Sequence, residues 1–185
     1  IRSSGTLRGF RDGGLTLPAP HPRRCADPME RSSPPDVRRA GPADEPALAG
    51  LLTAFFADEG FTLPPGGLSE RVRTYLATDG NAMFLARVDA DDVGVVTIAA
   101  GYSLEYGWYA EIEDLFVVPE HRGRGMGRDL VEAACAHAAA AGCSAVLVTV
   151  TPEGQERHDL VGLYRRLGFV DEGRRLLERR LDGAG

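Results

Sequence analysis

Apolar residues recur every three or four positions in two early stretches of the chain, the spacing that gives a helix one buried face. The first stretch runs from Ala43 to Ala57, and its apolar positions are Leu48, Leu51, Leu52, Phe55 and Phe56. The second runs from Leu68 to Ala77, after the proline- and glycine-rich loop Thr62 to Gly67. We therefore predict two helices, preceded by a short strand over Asp36 to Ala40.

Strand patterns follow these helices. Ala82 to Val88 and Val93 to Ala100 are mostly apolar and flank the turn Asp89 to Asp92, so they predict a hairpin. Tyr102 to Tyr109 indicates a polar and aromatic connection. A further strand over Ala110 to Val118 ends at Pro119, because proline has no N–H to give a sheet ladder.

The last third of the chain alternates helices and strands. We predict a helix over Asp129 to Ala141 that stops at Gly142, a strand over Ala145 to Val150, and a helix over Gln155 to Leu167. Phe169–Val170 and Arg175 to Leu181 give a final strand pair. This order predicts an α/β fold in which one mixed sheet carries helices on both faces.

The first 35 residues differ from the rest. They are rich in Arg, Ser, Gly and Pro without a helix or strand period, so residues 1–35 are predicted to be a disordered extension. Residues 36–185 then form a single domain. No apolar run reaches the roughly 18 residues of a membrane span. The three cysteines form no C-x-x-C pair, so reduced thiols and a cytoplasmic location are expected.

Charge is divided unevenly along the chain. The net charge is −6 overall, but residues 1–39 carry +4 and residues 40–185 carry −10. An acidic folded domain disfavours nucleic acid and anionic membrane as partners. It favours a cationic substrate instead.

A glycine-rich segment lies between the strand that ends at Pro119 and the helix that follows. Arg122 to Arg128 has the sequence RGRGMGR, and glycines at a strand-to-helix junction let backbone N–H groups converge on an anion at the helix N-terminus. The spacing does not match G-x-G-x-x-G, and the chain has no lysine for a Walker motif. The pattern that fits is Arg-x-x-Gly-x-Gly, at Arg122, Gly125 and Gly127.

A second block, Leu163 to Phe169 with the sequence LYRRLGF, follows at a matching distance. Together the two blocks resemble the GNAT superfamily of N-acetyltransferases, whose glycine motif binds the pyrophosphate of acetyl-CoA. The resemblance implies the GNAT fold, with a central, mostly antiparallel mixed sheet, and acetyl transfer to an amine. It also implies the residues that bind acetyl-CoA: Phe116, Val117, Val118, Arg122, Gly123, Arg124, Gly125, Met126, Gly127 and Arg128.

Acetyl transfer needs a base for the amine and an acid for the departing thiolate. By resemblance the base is Glu111, at the position used by histone-type members, or Asp114, at the position used by aminoglycoside 3-N-acetyltransferases. A chain of water molecules or another residue is the third alternative. A regular strand would put the Glu111 and Asp114 side chains on opposite faces, so they share a cleft only if a bulge intervenes. Tyr164 holds the place of the family's acid.

One arginine departs from the family pattern: Arg157 stands where many members have Asn, so the family's contact there is not carried over. His158 is interpreted as a surface residue. His121 and His137, like His158, have no metal-ligand partner in the sequence. We expect no metal site.

The acceptor is the least specified part. Its side of the cleft is expected to come from the first two helices and the hairpins, and a ring of acidic and aromatic residues there would suit a polycationic amine such as an aminoglycoside antibiotic. Another small amine, a peptide amine, or a non-catalytic module that senses acyl-CoA remain alternatives. Dimers are common in the superfamily, so a homodimer is compatible with the resemblance. The expected acceptor residues are Asp58, Glu59, Glu105, Tyr106, Trp108 and Glu113.

Overall fold

A five-stranded sheet forms the centre of the chain in a computed structural model, which describes residues 36–179. The strands follow one another across the sheet in chain order; the first three pairs are antiparallel and the last pair is parallel. The strands are β1 (Asp36–Arg39), β2 (Ala82–Val88), β3 (Asp91–Ser103), β4 (Gly107–Val117) and β5 (Ala145–Val148).

Helices cover both faces of this sheet. One core layer, with Leu130 and Val131 at its centre, lies between the sheet and the third helix, while the other, with Leu48 and Val72, lies under the first two helices. This confirms the predicted α/β arrangement. The helices are α1 (Glu45–Glu59), α2 (Ser69–Ala77), α3 (Met126–Ala140), α4 (Pro152–His158) and α5 (Leu160–Arg166), with single 3-10 turns at Pro42–Asp44 and Pro119–His121.

The predicted connection from Tyr102 to Tyr109 is wrong. β3 continues to Ser103 and β4 already begins at Gly107, so the segment is the tip of a long hairpin. Tyr102 is paired with Trp108 across the strands, and their rings pack edge to face at 5.4 Å between centroids. Aromatic cross-strand pairs of this kind stabilise a hairpin end, which a pattern of polar and aromatic residues does not reveal.

The predicted helix over Gln155 to Leu167 is two helices. Asp159 separates α4 from α5 with a positive φ of 47°. α4 begins earlier than predicted because Pro152 occupies its first turn and the Thr151 hydroxyl accepts a hydrogen bond from the Gly154 N–H. α3 also begins three residues early, at Met126.

The predicted final strand pair is also wrong over the described part of the chain, because residues 169–179 contain no strand. Arg174 instead holds this segment to the hairpin tip through Glu105, with an Nη1–Oε2 distance of 3.1 Å. The predicted N-terminal extension, residues 1–35, and the end of the predicted last strand, at Leu181, lie outside the described residues. Within residues 36–179, no helix combines the length and hydropathy of a membrane span.

Candidate active site

A bulge in β4 brings the candidate bases to one face of the sheet. β3 and β4 pair Val96 with Leu115 and Ile98 with Ile112, so Thr97 alone stands opposite both Glu113 and Asp114. On either side of the bulge, Ile112 and Leu115 pack in the core beneath α3. Glu111, Glu113 and Asp114 therefore all turn towards the face that carries α1 and α2.

Thr97 holds Asp114 in this bulge. Its hydroxyl donates to Asp114 Oδ2 at 2.8 Å, and Thr97 Oγ1 also accepts a hydrogen bond from the Asp114 N–H at 3.0 Å. Thr97 is only 1% exposed. Burial raises the pKa of Asp114 above its ordinary value, and the Thr97 hydrogen bond opposes part of that rise.

Glu113 lies beside Asp114 and is the more exposed of the two. Burial, followed by the charges of Asp114 and Glu111, raises the pKa of Glu113, while the neighbouring Tyr75 hydroxyl counteracts this. Burial and the charge of Glu113 in turn raise the pKa of Tyr75 well above its usual range. Sequence reasoning missed Thr97 and Tyr75, because both reach the carboxylates only through strand register and helix packing.

Glu111 faces a different neighbour. Thr149, just after β5, donates to Glu111 Oε1 at 3.0 Å. The two side chains line a cleft of about 980 Å³ that Tyr106 and Tyr164 also line. All of β5 and much of the segment after α5 supply most of the rest of the cleft lining. β4 and β5 pair only over Tyr109–Ile112 and Ala145–Val148, and β4 then continues alone on that side to Val117.

Tyr164 lies at the inner wall of this cleft. It is 5% exposed and its ring packs against Phe169 at 5.2 Å. Burial, with a smaller contribution from Cys135, raises the pKa of Tyr164 to about 12. The phenol is therefore neutral near physiological pH, the form that can donate a proton.

The glycine-rich segment ends at the N-terminus of α3. Gly125 caps the helix with a φ of 89°, and the first helical bond runs from the Asp129 N–H to the Gly125 carbonyl. The N–H groups of Met126, Gly127 and Arg128 precede that bond and have no helical acceptor. Gly127 has open space where a Cβ would be, and Arg124 and Arg128 are exposed. This arrangement fits the diphosphate of coenzyme A.

Arg122 is turned away from that helix end. Its Nε donates to the Val117 carbonyl at 2.8 Å and its Nη2 donates to Asp58 Oδ2 at 2.7 Å. An expected cofactor residue and an expected acceptor residue thus bind each other. Val118, a third expected contact, already donates its N–H to Val93 and accepts the His121 N–H.

The other expected acceptor residues, apart from Glu113 on the bulge, are spread over two places. Glu105 pairs with Arg174, whose guanidinium lowers the pKa of that carboxyl and also lies over the Tyr106 ring. Trp108 is 57% exposed on the hairpin. At the end of α1, Glu59 lies beside His158.

His158 has more neighbours than its interpretation as an isolated surface residue implied. Its Nε2 lies 4.0 Å from both Asp58 Oδ2 and Glu59 Oε1. Among residues 36–179 these three side chains could offer ligand atoms to a metal ion, since those atoms lie within 4.8 Å of one another. Asp58, however, is already bound by Arg122.

Comparisons with known proteins all point to acetyltransferases. Residues 49–169 match the model of the acetyltransferase (GNAT) family. Glucosamine 6-phosphate N-acetyltransferase 1 of Oryza sativa subsp. japonica is 33% identical over 79 residues, which cover 43% of this chain and 44% of that protein. The matches with curated relatives span less than half of each relative's length.

Solved structures share the fold over most of the chain. An integron cassette protein from the mobile metagenome of Cole Harbour Salt Marsh has a TM-score of 0.69 at 30% identity, covering 78% of this chain and 90% of its own. The aminoglycoside N-acetyltransferase AAC(6')-Iy, solved in complex with CoA, has a TM-score of 0.68 and covers 82% of this chain and 98% of its own. At 21% identity, that likeness concerns the fold alone. On the family match and the two motif blocks, the chain belongs to the acetyltransferase (GNAT) family.

Proposed function

We propose that this chain moves the acetyl group of acetyl-CoA to a primary amine of a polycationic small molecule, and that the acceptor is an aminoglycoside antibiotic. Family membership supports the acetyl transfer. The observation that carries the choice of acceptor is the bulge opposite Thr97, which gathers Glu111, Glu113 and Asp114 on one face. A concentration of carboxylates on one partly desolvated face of a sheet attracts a molecule with several ammonium groups.

Acetyl-CoA supplies the activated acetyl group when it is bound. The backbone N–H groups of Met126, Gly127 and Arg128 would hold its diphosphate, with Arg124 adding positive charge. The open edge of β4 between Glu113 and Val117 would pair with its extended arm. Arg122 is one of the ten expected cofactor residues, but its side chain already binds Val117 and Asp58, so we assign it no direct contact with the diphosphate.

The acceptor must lose a proton before its nitrogen attacks the acetyl carbonyl. A carboxylate whose pKa is raised towards neutrality is the better base. Burial raises the pKa values of Asp114 and Glu113, which supports this pair as the source of the base. We assign the base to Asp114, with Glu113 as its exposed neighbour that receives the acceptor's ammonium group.

As the new C–N bond forms and the C–S bond breaks, the departing thiolate needs a proton. Tyr164 is neutral and faces the cleft, so its hydroxyl donates that proton and regains one from solvent. The ammonium group loses two protons in all: one balances the proton placed on sulfur and the other leaves to solvent, so the overall exchange yields an acetamide, free CoA thiol and one proton. Acetylation removes one positive charge from the acceptor. The acetylated molecule therefore binds less tightly to any target that recognises it by its charge.

A free-thiol release assay tests this function. Acetyl-CoA is incubated with the chain and with aminoglycosides, spermidine or short peptides, and CoA thiol is measured over time. We expect turnover with aminoglycosides, and turnover lowered in Asp114→Asn. Turnover with peptides or spermidine alone would contradict the acceptor, while CoA binding without thiol release from any amine would indicate an acyl-CoA-sensing module.

The remaining expectations stay predictions. Cys135 and Cys143 are both free thiols, which agrees with a reducing compartment such as the cytoplasm; Cys25 lies outside the described residues. The acidic charge of residues 40–185 supports the expectation of no nucleic-acid and no membrane partner. A homodimer also remains to be tested.

A further inference from the structure

Arg122 makes three contacts that join separate parts of the fold. Its Nε binds the carbonyl of Val117 at the end of β4, its Nη2 binds Asp58 at the end of α1, and its guanidinium carbon lies 5.5 Å from the centroid of the Phe116 ring. Val117 and Phe116 belong to the strand that leads into the glycine-rich segment. The side chain thus ties that strand to the helix expected to bind the acceptor.

Asp58 is surrounded by positive and polar groups. Besides Arg122, it has His158 Nε2 at 4.0 Å, and Arg157 donates to its backbone carbonyl. A carboxylate at a helix C-terminus meets the negative end of the helix dipole, so it needs such partners. With its Oδ2 bound to Arg122, Asp58 is poorly available for a cationic acceptor.

The Arg122–Asp58 ion pair fixes the position of two chain segments more than it adds to the free energy of unfolding. Both side chains are 34% exposed, and ion pairs of that exposure contribute little to folding. The arginine fork, however, uses two different nitrogens for Val117 and Asp58, which fixes their relative position. Lysine has one nitrogen on a flexible stem and would not reproduce this geometry.

We propose that Asp58 is a positioning residue for the acetyl-CoA site, acting through Arg122, and that it does not contact the acceptor. Asp58 orients Arg122, and Arg122 holds the Val117 carbonyl so that the strand end and the following glycine-rich segment keep the shape that receives the diphosphate. This inference rests on the proposed function for the identity of the ligand. It makes the end of α1 part of the cofactor site, although α1 lies in the other half of the sequence.

Steady-state kinetics of Asp58→Asn separate the two roles. We expect the KM for acetyl-CoA to rise about fivefold, with the acceptor KM changed by less than about twofold. Glu120→Gln, an exposed carboxylate two residues before Arg122, is the matched control and should leave both values unchanged. Isothermal titration with CoA alone, which needs no acceptor, should show the same weakening.

The partner variant completes the test. Arg122→Met should weaken CoA binding at least as much, and the double variant should be no worse than Arg122→Met alone, because both changes break one link. Arg122→Lys should rescue only part of the loss.

Two results would overturn the proposal. A raised acceptor KM with an unchanged KM for acetyl-CoA would return Asp58 to the acceptor site, and a lowered Tm with neither KM changed would make the pair merely structural. Failure of the proposed function looks different, since the unmodified chain would then bind no CoA in the titration. If wild type and Asp58→Asn bind CoA equally well, this inference fails while the proposed function stands.

Discussion

The hydroxyl of Thr97 is bonded twice to Asp114, once to its carboxylate at 2.8 Å and once to its N–H at 3.0 Å. The Thr97 side chain therefore both fixes the bulge of β4 and lowers the pKa of the Asp114 carboxyl that lies on it. Because Thr97 comes from the neighbouring strand, the position of the proposed base, Asp114, is set by cross-strand pairing and not by β4 alone.

Thr97→Val removes this hydroxyl with little change in volume. Asp114 loses a hydrogen bond that lowers its pKa, so that pKa should rise further. A base acts only when deprotonated, and the acid limb of kcat/KM against pH should therefore move to higher pH, with activity in mildly acidic buffer falling severalfold relative to mildly alkaline buffer. Losing the buried bond should also lower stability by about 1–2 kcal/mol.

Thr149→Val is the matched control for that experiment, because it removes the hydroxyl that binds Glu111. If Asp114 is the base, Thr149→Val leaves the acid limb in place. A shifted limb in Thr149→Val with an unshifted one in Thr97→Val would assign the base to Glu111.

Tyr164→Phe should separate turnover from binding. The variant loses only a hydroxyl, so we expect kcat to fall about a hundredfold while CoA affinity stays within about twofold. Because the pKa of Tyr164 is about 12, its ionisation should impose no alkaline limb on wild-type activity up to about pH 10. Tyr102→Phe, on the exposed hairpin, is the control, and equal kcat for wild type and Tyr164→Phe would refute the assigned role.

Alanine substitutions at Gly125 and Gly127 should separate two effects: backbone strain, which lowers stability, and loss of space for the diphosphate, which weakens CoA binding. Gly125 has a φ of 89°, so Gly125→Ala should lower stability by about 1–2 kcal/mol and also weaken CoA binding. The Cβ added by Gly127→Ala would meet no protein atom within 4 Å. Alanine is also more favourable than glycine inside a helix. The variant should keep or raise the Tm yet still weaken CoA binding; unchanged CoA affinity in Gly127→Ala would place the diphosphate elsewhere.

Glu113→Gln should raise stability near neutral pH. Burial and neighbouring carboxylates raise the folded-state pKa of Glu113 above its unfolded value, so the folded chain binds more protons and wild-type stability falls as pH rises through that interval. The Tm gain of Glu113→Gln over wild type should therefore grow as the pH rises above the ordinary glutamate pKa towards neutrality. A gain that shrinks with rising pH would mean that Glu113 is stabilised in its charged form.

The parts of the candidate site that depend on residues adjacent in the sequence could be proposed from the sequence. Gly125 and Gly127 indicated a turn at the start of a helix, which the structure has, and the block around Tyr164 indicated that residue as a candidate. The bulge was not predictable, since Thr97 and Asp114 are brought together by register. Arg122 and Asp58 are 64 positions apart, and no periodic pattern signals such a pair. The boundary at Asp159 was not predictable either, because its positive φ interrupts an otherwise continuous helical pattern.

Trp108 is the single tryptophan of the sequence and is 57% exposed, with its ring against Tyr102 at the outer end of the hairpin. Intrinsic emission excited at the indole band thus comes from one location. A ligand that binds on the hairpin changes the polarity around this fluorophore directly. Contact of an acceptor with the hairpin can therefore be followed optically, without labelling the chain.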